Sequence, residues 1–310
     1  MTYHAPEERA KFGATMSDAT FSRVAKIAQR EAGLVLAHAK LSMVQSRLSR
    51  RLRALQLPDF DSYLDFLEGE ADGRTEMRHF ISALTTNVSH FFREMHHFNT
   101  LKEQALPKLI ERAKSGGKIR IWSAGCSNGQ EPYSIAMSIL EVFPQAGDFD
   151  IKILATDIDP EVLATARAGV YSGSLTTGLD EDTKRSYFDR SGTAEDEKLT
   201  VKPNVAALVA FRELNLHATW PMQGQFDAIF CRNVVIYFDE PTQEKLYRRY
   251  AERLGREGWL FLGHSERIND SSAQLFASCG VTTYRPTGAT PSSSAKPTAG
   301  AVAKGQQHGA

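Results

Sequence analysis

The sequence is poor in cysteine, and neither sign of charge is in excess. Its 310 residues include three cysteines, 37 basic residues and 37 acidic residues. A sparse, odd number of cysteines provides no disulfide framework, and no two of them have the spacing of a metal-ligand pair. We therefore expect a protein of a reducing, cytoplasmic compartment, without a bound metal.

Long apolar runs are also missing. The first residues, MTYHAPEERAKFG, lack the apolar segment of a signal peptide, and no stretch approaches the roughly 20 apolar residues of a membrane span. The balanced charge gives no overall field that would draw the chain to nucleic acid or to a membrane surface. Any attraction to a charged partner must come from a local patch.

The composition that is present, 42% apolar and 24% charged, is typical of a soluble globular protein. Residues 17–92 carry apolar side chains at helical spacing without strand-like alternation, which predicts an N-terminal helical domain. Ser17 and the first Asp of DFDSYLDFLEG are expected to cap helices, and Pro58 is expected to follow a helix end.

From residue 118 onward, strand-like runs alternate with helical segments. The runs KIRIWSAGC, KILATDID, FDAIFCRNVVIYF and GWLFLGHSE are strand-like. This alternation predicts a doubly wound, Rossmann-like α/β domain over residues 93–285, whose ligand lies at the carboxyl ends of the strands. Residues 172–203 are polar and predict a small inserted β subdomain. Residues 286–310 have hardly any apolar bulk and are expected to be disordered.

The turn SAGCSNGQEPYS after the first strand is the first candidate site. Gly125 and Gly129 would let a ligand approach the backbone, and the helix start behind them offers free N–H groups. The spacing G-x-x-x-G differs from the three-glycine fingerprint of NAD-binding proteins. A smaller zwitterionic ligand such as S-adenosylmethionine is therefore favoured, with Glu131 binding its ammonium group. An ordinary strand–helix turn is the alternative.

Asp157 ends the next strand-like run and is placed to accept hydrogen bonds from ribose hydroxyls. A helix-capping role is the alternative, and it fits Asp159, which precedes Pro160, better. The glycine turn and Asp157 together favour nucleoside binding.

Polar residues also interrupt apolar sequence in two other places. LTTNVSHFFRE contains Asn87, Ser89 and Arg93, for which a helix end with a capping Asn is the alternative. CRNVVIYF contains Arg232 and Asn233, with Tyr237 one turn later, and strands rarely bury an Arg without a reason. We expect these residues to face one pocket, and Asn215 and Leu216 of NLHATWP to frame an adenine.

Six strings, in this order, resemble the chemotaxis receptor methyltransferase (CheR) family from about residue 17 to 285: LTTNVSHFFRE, SAGCSNGQEPYSIA, ATDIDPEVL, FRELNL, FDAIFCRNVVIYFD and GHSE. The resemblance implies a helical N-terminal domain, an α/β methyltransferase domain and a small inserted β subdomain. It also implies methyl transfer from S-adenosylmethionine to glutamate side chains on the methylation helices of membrane chemoreceptors, forming γ-methyl esters and S-adenosylhomocysteine.

The resemblance carries individual roles to matching positions. Arg93 and Tyr237 match positions that orient the reacting groups. Ser89 stands where the family often has Thr, and Gln130 where many members have Glu. The implied cofactor contacts are Asn87, Ser89, Arg93, Glu131, Asp157, Asn215, Leu216, Arg232 and Asn233.

A glutamate acceptor fits these residue types. Its carboxyl group has an ordinary pKa of about 4.3, so it is ionised at neutral pH and needs no general base. The enzyme's work is then to place a weak nucleophile in line with the methyl group, which can supply roughly 7–11 kcal/mol in ideal cases. Arg93 and Tyr237 are the candidates for that placement.

Recognition of the receptor is expected at a basic helix. Arg47, Arg50 and Arg51 share one helical face and would attract a helix that presents glutamates, although a solvated surface is the alternative. Some family members also bind a receptor C-terminal peptide through a G-x-G-x-x-G turn in the β subdomain. DRSGTAEDEKLTV has Gly192 alone, so we expect no such tether.

Two alternative functions use the same fold. A nucleic-acid methyltransferase would be expected to carry a basic stripe interleaved with aromatics, which this neutral chain lacks. The Asn/Asp-Pro-Pro-Tyr string of many adenine-N6 enzymes is also missing. A non-catalytic regulator that only binds S-adenosylmethionine would not need Tyr237.

Overall fold

The computed structural model describes residues 15–69, 71–85, 87–193 and 196–288, without the side chains of residues 71, 72 and 74. The described part of the chain begins with four α-helices. Ser17 Oγ accepts from Thr20 N at 3.0 Å, and Asp59 Oδ1 accepts from Ser62 N at 2.8 Å, so both expected caps are present. The helices are α1 (Asp18–Ala32), α2 (Leu41–Leu55), α3 (Phe60–Glu68) and α4 (Ala71–Leu84).

The helix expected to continue to residue 92 ends at Leu84 instead. The polar groups beyond it bind the α/β part of the chain. Phe92 N donates to Ser134 Oγ at 2.9 Å, and Asn87 Nδ2 donates to Asp159 Oδ2 at 2.8 Å. These tertiary hydrogen bonds replace those of a further helical turn, which the apolar spacing alone favours.

Seven strands form the main sheet in the order β6-β2-β1-β7-β8-β10-β9. The first five in that order are parallel, and β10 pairs antiparallel with both β8 and β9. A separate antiparallel sheet has the order β3-β5-β4. The strands are β1 (Ile119–Ala124), β2 (Ile151–Asp157), β3 (Val170–Ser172), β4 (Phe188–Ser191), β5 (Lys198–Val201), β6 (Val209–Glu213), β7 (Phe226–Cys231), β8 (Leu254–Leu262), β9 (Phe276–Gly280) and β10 (Thr283–Pro286).

Helices cover both faces of the main sheet, as the sequence predicts. Trp122 and Ile229 share one cluster of buried apolar side chains with α1–α4 and α11. Ile121 and Phe230, their strand neighbours, belong to a second cluster with α5–α8. The remaining helices are α5 (His96–Thr100), α6 (Leu106–Lys114), α7 (Gln130–Val142), α8 (Pro160–Ala168), α9 (Glu181–Tyr187), α10 (Pro203–Ala206) and α11 (Glu240–Arg253).

The last described residues show that ordered structure extends to the start of the predicted tail. Pro286 is the last residue of β10, and Thr287 N donates to Leu275 O at 3.0 Å. A tail therefore begins later than residue 286, and residues 289–310 lie outside the described part. Within that part, every helix is too short or too polar to traverse a bilayer.

Candidate functional site

Two small cavities adjoin at the carboxyl ends of β1, β2 and β7. A polar cavity of about 90 Å³ and a mostly apolar cavity of about 60 Å³ share Gly125 and Asp157 as lining residues. Every cofactor-site residue predicted from the sequence lines one of them. The apolar cavity contains Asn215 and Leu216, and the polar cavity contains Asn87, Ser89, Arg93, Glu131, Asp157, Arg232, Asn233 and Tyr237.

A larger cavity, of about 640 Å³, lies at the opposite edge of the sheet, where β1 and β7 begin. Charged side chains that pair with one another line it, such as Arg112 and Asp227 at 2.6 Å. Parallel α/β sheets bind ligands at the carboxyl ends of their strands, so size does not identify the site here.

The glycines of the first turn are required by the protein's own packing. Gly125 and Gly129 both have φ of 91°, a left-handed conformation that favours glycine. A Cβ on Gly125 would lie 2.4 Å from Val234, and one on Gly129 would lie 2.9 Å from the Tyr171 hydroxyl. Internal packing thus requires both glycines, and Gly125 also lines both cavities, where a ligand would meet its backbone.

Asp157 fastens this turn to the end of β2. Its two carboxylate oxygens accept from Ser127 N at 2.8 Å and from Asp159 N at 3.0 Å. Burial raises the pKa of Asp157 to about 6. Each oxygen keeps a second lone pair that a ligand hydroxyl can use.

Arg232 is the buried cation at the centre of the polar cavity. Its guanidinium lies 3.1 Å from Glu131 Oε2 and 3.5 Å from Glu94 Oε2, and it also donates to the carbonyl oxygen of Arg93. Ser123 Oγ donates to the other Glu131 oxygen at 2.7 Å. Glu131, expected to be available for a ligand ammonium, therefore already binds Arg232. The reason for burying an arginine is this pair of carboxylates.

The two carboxylates respond differently to burial. Burial raises the pKa of Glu131, although Arg232 opposes the rise. For Glu94, burial also disfavours the charged form, but Arg232 and the hydrogen bonds from His264 outweigh it, and its pKa lies below the usual value. With both ionised, the cluster carries one net negative charge, which suits a cationic ligand group.

Asn87 closes one side of the polar cavity. Its amide donates to Asp159 Oδ2 at 2.8 Å, while Asp159 Oδ1 caps α8 through Glu161 N at 2.9 Å. Ser127 Oγ donates to the Asn87 carbonyl at 3.1 Å. Asn87 thus ties the segment after α4 to the glycine turn and to α8.

Arg93 and Tyr237 line the same polar cavity from different parts of the chain. Arg93 Nη1 donates to Val88 O at 3.1 Å. Tyr237 ends a short 3₁₀ turn, and the Lys40 ammonium lies 5.6 Å from its ring centre. The Tyr237 hydroxyl makes no hydrogen bond with any residue that the structure describes, so it can serve a ligand.

Glu266 supports the site from behind Asn233, a role that was not predicted from the sequence. Its carboxylate is 3% exposed and accepts four backbone N–H groups, at 2.6–3.2 Å. These hold the turn that carries Asn233, whose φ is 60°. An acidic residue just after a strand-like run, in GHSE, was the available signal. The donors are Gly263, Asn233, Val235 and Ile236.

The lining of the apolar cavity suits an apolar ring. Leu216 is one of its walls, and the other side chains are also mostly apolar. Asn215 donates to Glu31 O at 2.8 Å and accepts from His217 N at 2.9 Å, so its side chain joins β6 to the end of α1. The apolar walls are Ala32, Leu34, Ile158, Leu214, Leu216 and Phe238.

Arg47, Arg50 and Arg51, which were predicted to dock the substrate, contribute to the lining of a third cavity of about 470 Å³. This cavity shares Thr85 and Asn87 with the polar cavity. Arg51 binds Glu76 through two hydrogen bonds, at 2.8 and 2.6 Å. Arg47 donates to Thr85 O at 2.6 Å. Two of the three therefore hold the bundle together, and only Arg50 makes no bond with a described residue.

Comparison with known proteins agrees with this geometry. The family model described as "CheR methyltransferase, all-alpha domain" matches residues 19–85, and "CheR methyltransferase, SAM binding domain" matches residues 87–285. A probable chemotaxis protein methyltransferase of Rhizobium etli is 48% identical over 255 residues, 82% of this chain and 95% of that protein.

Two further relatives are similar over most of their length. Chemotaxis protein methyltransferase 2 of Pseudomonas aeruginosa is 43% identical over 269 residues, 86% of this chain and 92% of that protein. The chemotaxis protein methyltransferase of Salmonella typhimurium is 42% identical over 271 residues, 87% of this chain and 90% of that protein.

Proposed function

The chain belongs to the CheR methyltransferase family and is an S-adenosylmethionine-dependent methyltransferase, and from this premise we propose that it methylates glutamate side chains of chemoreceptors. The products would be glutamyl γ-methyl esters and S-adenosylhomocysteine. The relatives' shared role in chemotaxis supports the receptor as the substrate, and we propose that the enzyme meets it in the cytoplasm.

The observation that carries the proposal is the pair of adjoining cavities that share Asp157. S-adenosylmethionine has an amino-acid end with a sulfonium and an adenine end, joined by a ribose. The carboxylates of Glu94 and Glu131 beside Arg232 suit the cationic end, and the apolar cavity beside Leu216 suits the adenine. Asp157 lies between them, where the ribose hydroxyls would be. The residues therefore fit the cofactor.

The proposed chemistry is a direct displacement. When bound, S-adenosylmethionine supplies a methyl group on a positively charged sulfur. A carboxylate oxygen of the acceptor forms a bond to the methyl carbon as the carbon–sulfur bond breaks, and no proton moves. Because the acceptor is already ionised, the protein has to orient it and exclude water. The Arg93 guanidinium and the unbonded Tyr237 hydroxyl are the groups proposed to hold the carboxylate.

We propose that the acceptor helix approaches past Arg50. The cavity that Arg50 lines continues to Thr85 and Asn87, which also line the polar cavity. Lys40 adds a second positive charge beside Tyr237. These charges would attract a receptor helix that presents carboxylates. A C-terminal tether on the receptor is not part of the proposal, since DRSGTAEDEKLTV, the stretch of the β subdomain that would hold a glycine-rich turn, has Gly192 alone.

Methyl transfer to receptor-bearing membranes, with S-adenosylmethionine labelled on its methyl group, tests the proposal. The expected result is label on the receptor that mild base releases as methanol, because carboxylic esters are base-labile. Label that resists mild base would indicate N-methylation instead. Cofactor binding without any transfer would indicate a non-catalytic regulator.

A further inference from the structure

Two buried polar atoms near Arg232 face each other without a hydrogen bond. His97 is fully buried, and its Nδ1 atom lies 3.6 Å from Glu94 Oε2. Neither atom makes a hydrogen bond with any residue that the structure describes, although the Arg232 guanidinium lies 3.5 Å from the same Glu94 oxygen. Buried polar atoms in native proteins nearly always have a partner, so this pair of atoms requires an explanation.

The contacts of the other ring nitrogen show where the proton of His97 lies. Nε2 is 3.3 Å from the carbonyl oxygen of Val281 and 2.9 Å from the hydroxyl of Thr282. A carbonyl oxygen can only accept, so Nε2 carries the proton and Nδ1 of the neutral ring is an acceptor. An acceptor nitrogen therefore faces an acceptor oxygen of Glu94.

The distance between these two atoms suits a shared metal ion better than a hydrogen bond. A separation of 3.6 Å exceeds the range of about 2.7–3.2 Å for N–H···O hydrogen bonds. Two ligand atoms that each lie about 2.0–2.1 Å from one tetrahedral Zn²⁺ ion are separated by about 3.4 Å. A cation between His97 and Glu94 would thus satisfy both atoms.

His96 supplies a third ligand. The ligand atoms of Glu94, His96 and His97 all lie within 4.8 Å of one another, and His96 is half-buried, so rotation of its ring can bring it to the same ion. The cysteine spacing of this chain excludes only cysteine sites, whereas imidazole and carboxylate groups are ordinary ligands of Zn²⁺. Three protein ligands leave the fourth position to water.

Hydrogen bonds from outside the cluster hold two of the ligands in place. Metal-binding histidines usually donate their other N–H to a carbonyl or carboxylate, which fixes the ring, and His97 Nε2 has such an acceptor in Val281 O. The second oxygen of Glu94 accepts from His264 N at 3.2 Å. Both ligand atoms that face each other are therefore oriented before an ion binds.

We infer that Glu94, His96 and His97 form a binding site for one divalent transition-metal ion of the Zn²⁺ class. None of the three lines the polar or the apolar cavity, so the role of the ion is structural: it joins the start of α5 to the segment that carries Arg93. Arg232 shares Glu94 with the ion and keeps its two other hydrogen bonds. The inference does not rest on the proposed function.

The test uses the full chain without an affinity tag, after treatment with EDTA and dialysis. Calorimetric titration with ZnCl₂ is expected to show one ion bound per chain. The midpoint of thermal unfolding should rise with Zn²⁺, because the ion binds the folded state. Co²⁺ bound at the same ligands should give visible absorption bands. Mg²⁺ should not bind, since it prefers oxygen ligands.

Variants locate the site. His96→Ala and Glu94→Gln each remove a ligand and should weaken Zn²⁺ affinity at least about tenfold, with thermal unfolding in the absence of metal as the check that they are folded. His38→Ala is the matched control, since it removes an exposed histidine 2.9 Å from Asp18, and it should bind Zn²⁺ as wild type does.

Three results would overturn the inference. One is a wild-type chain that takes up no Zn²⁺, which would mean that a proton lies between His97 and Glu94 instead. The others are unchanged affinity in either ligand variant, or an equal loss of affinity in His38→Ala, which would indicate adventitious binding to surface histidines. None of these measurements involves methyl transfer, so their outcome is separate from that of the proposed function.

Discussion

The guanidinium of Arg232 lies 3.1 Å from Glu131, and its side chain is only 2% exposed. Glu94 contacts the same guanidinium at 3.5 Å. A single buried cation, Arg232, thus connects three parts of the chain: the end of β7, the start of α7 and the segment before α5. The geometry of the polar cavity depends on that cation as much as on any residue that would touch the cofactor.

Replacement of Arg232 by Met should strongly reduce both the stability of the fold and the binding of the cofactor. It leaves two buried carboxylates without a cation, and breaking a buried pair in this way costs about 3–5 kcal/mol. Denaturant unfolding should show that loss, and calorimetry should show no binding of S-adenosylhomocysteine. Arg248→Met is the matched control, since its pair with Glu244 lies on a half-exposed helix surface. Its effect should stay below about 1 kcal/mol. Equal stability of the two variants would contradict the role of Arg232.

Removal of the Tyr237 hydroxyl should affect the reaction more than cofactor binding. Tyr237→Phe loses a group proposed to orient the acceptor, so kcat should fall about 10- to 100-fold while the Kd for S-adenosylhomocysteine changes little. Tyr187→Phe, at the end of α9, controls for loss of a hydroxyl elsewhere. Equal losses in kcat and in cofactor affinity would refute the orienting role.

The buried carboxylate of Glu266 should set the position of Asn233. Glu266→Gln turns an amide N–H₂ toward backbone N–H groups, which should destabilise the fold by about 1–3 kcal/mol. The displaced turn should also weaken binding of S-adenosylhomocysteine, measured by calorimetry at a temperature where the variant is folded. Glu252→Gln, on the exposed surface of α11, should leave both quantities unchanged. Wild-type cofactor affinity in Glu266→Gln would argue against this positioning role.

Cofactor affinity should depend on pH through Asp157. Its folded pKa of about 6 lies above the ordinary value, so folding favours its protonated form. Its contribution to stability is therefore present at low pH and is lost as pH rises through about 6. Binding to ribose hydroxyls needs the carboxylate, so affinity for S-adenosylhomocysteine should fall below pH 6, by up to about tenfold per pH unit. Calorimetry between pH 5 and 7.5 should show this in wild type, and Asp157→Asn should flatten the profile.

Receptor docking should depend on Arg50 and should be tested at that residue alone, not at Arg47 or Arg51. Arg51 and Arg47 stabilise the bundle, so reversing their charge would disturb folding as well as docking. Arg50→Glu should raise the KM for receptor about three- to tenfold and leave S-adenosylhomocysteine binding intact. Arg53→Glu, on the same helix, makes the same change of charge as a control. Unchanged receptor methylation by Arg50→Glu would remove the docking role.

Local signals in the sequence were sufficient for most of the fold. Apolar runs ending in polar turns placed β1, β2 and β7, and Ser17 and Asp59 marked two helix starts. Apolar residues at helical spacing also continue past Leu84, and there the predicted helix was wrong, because α4 ends at Leu84. Hydrogen bonds to distant residues such as Ser134 decide the conformation of that segment, and no local pattern reports them.

The same distinction applies to the candidate site. The residues singled out from polar strand exits and from the family resemblance all line the two cavities, but other lining residues, such as Ser127 and Phe238, were not singled out. The sequence did not reveal their partners. Asn215 bonds to the backbone of Glu31, and Arg232 joins Glu131 to Glu94. These pairs lie far apart in the chain, and only the packed sheet and bundle bring them together.

The most direct test of the central claim is to locate the transferred methyl group. Receptor-bearing membranes are incubated with the enzyme and S-adenosylmethionine, and receptor peptides are then mapped by mass spectrometry. The account predicts single added methyl groups on glutamate residues of the cytoplasmic helices, dependent on enzyme and removed by mild base. Methyl groups on any other residue type, or none on the receptor while the enzyme binds its cofactor, would contradict it.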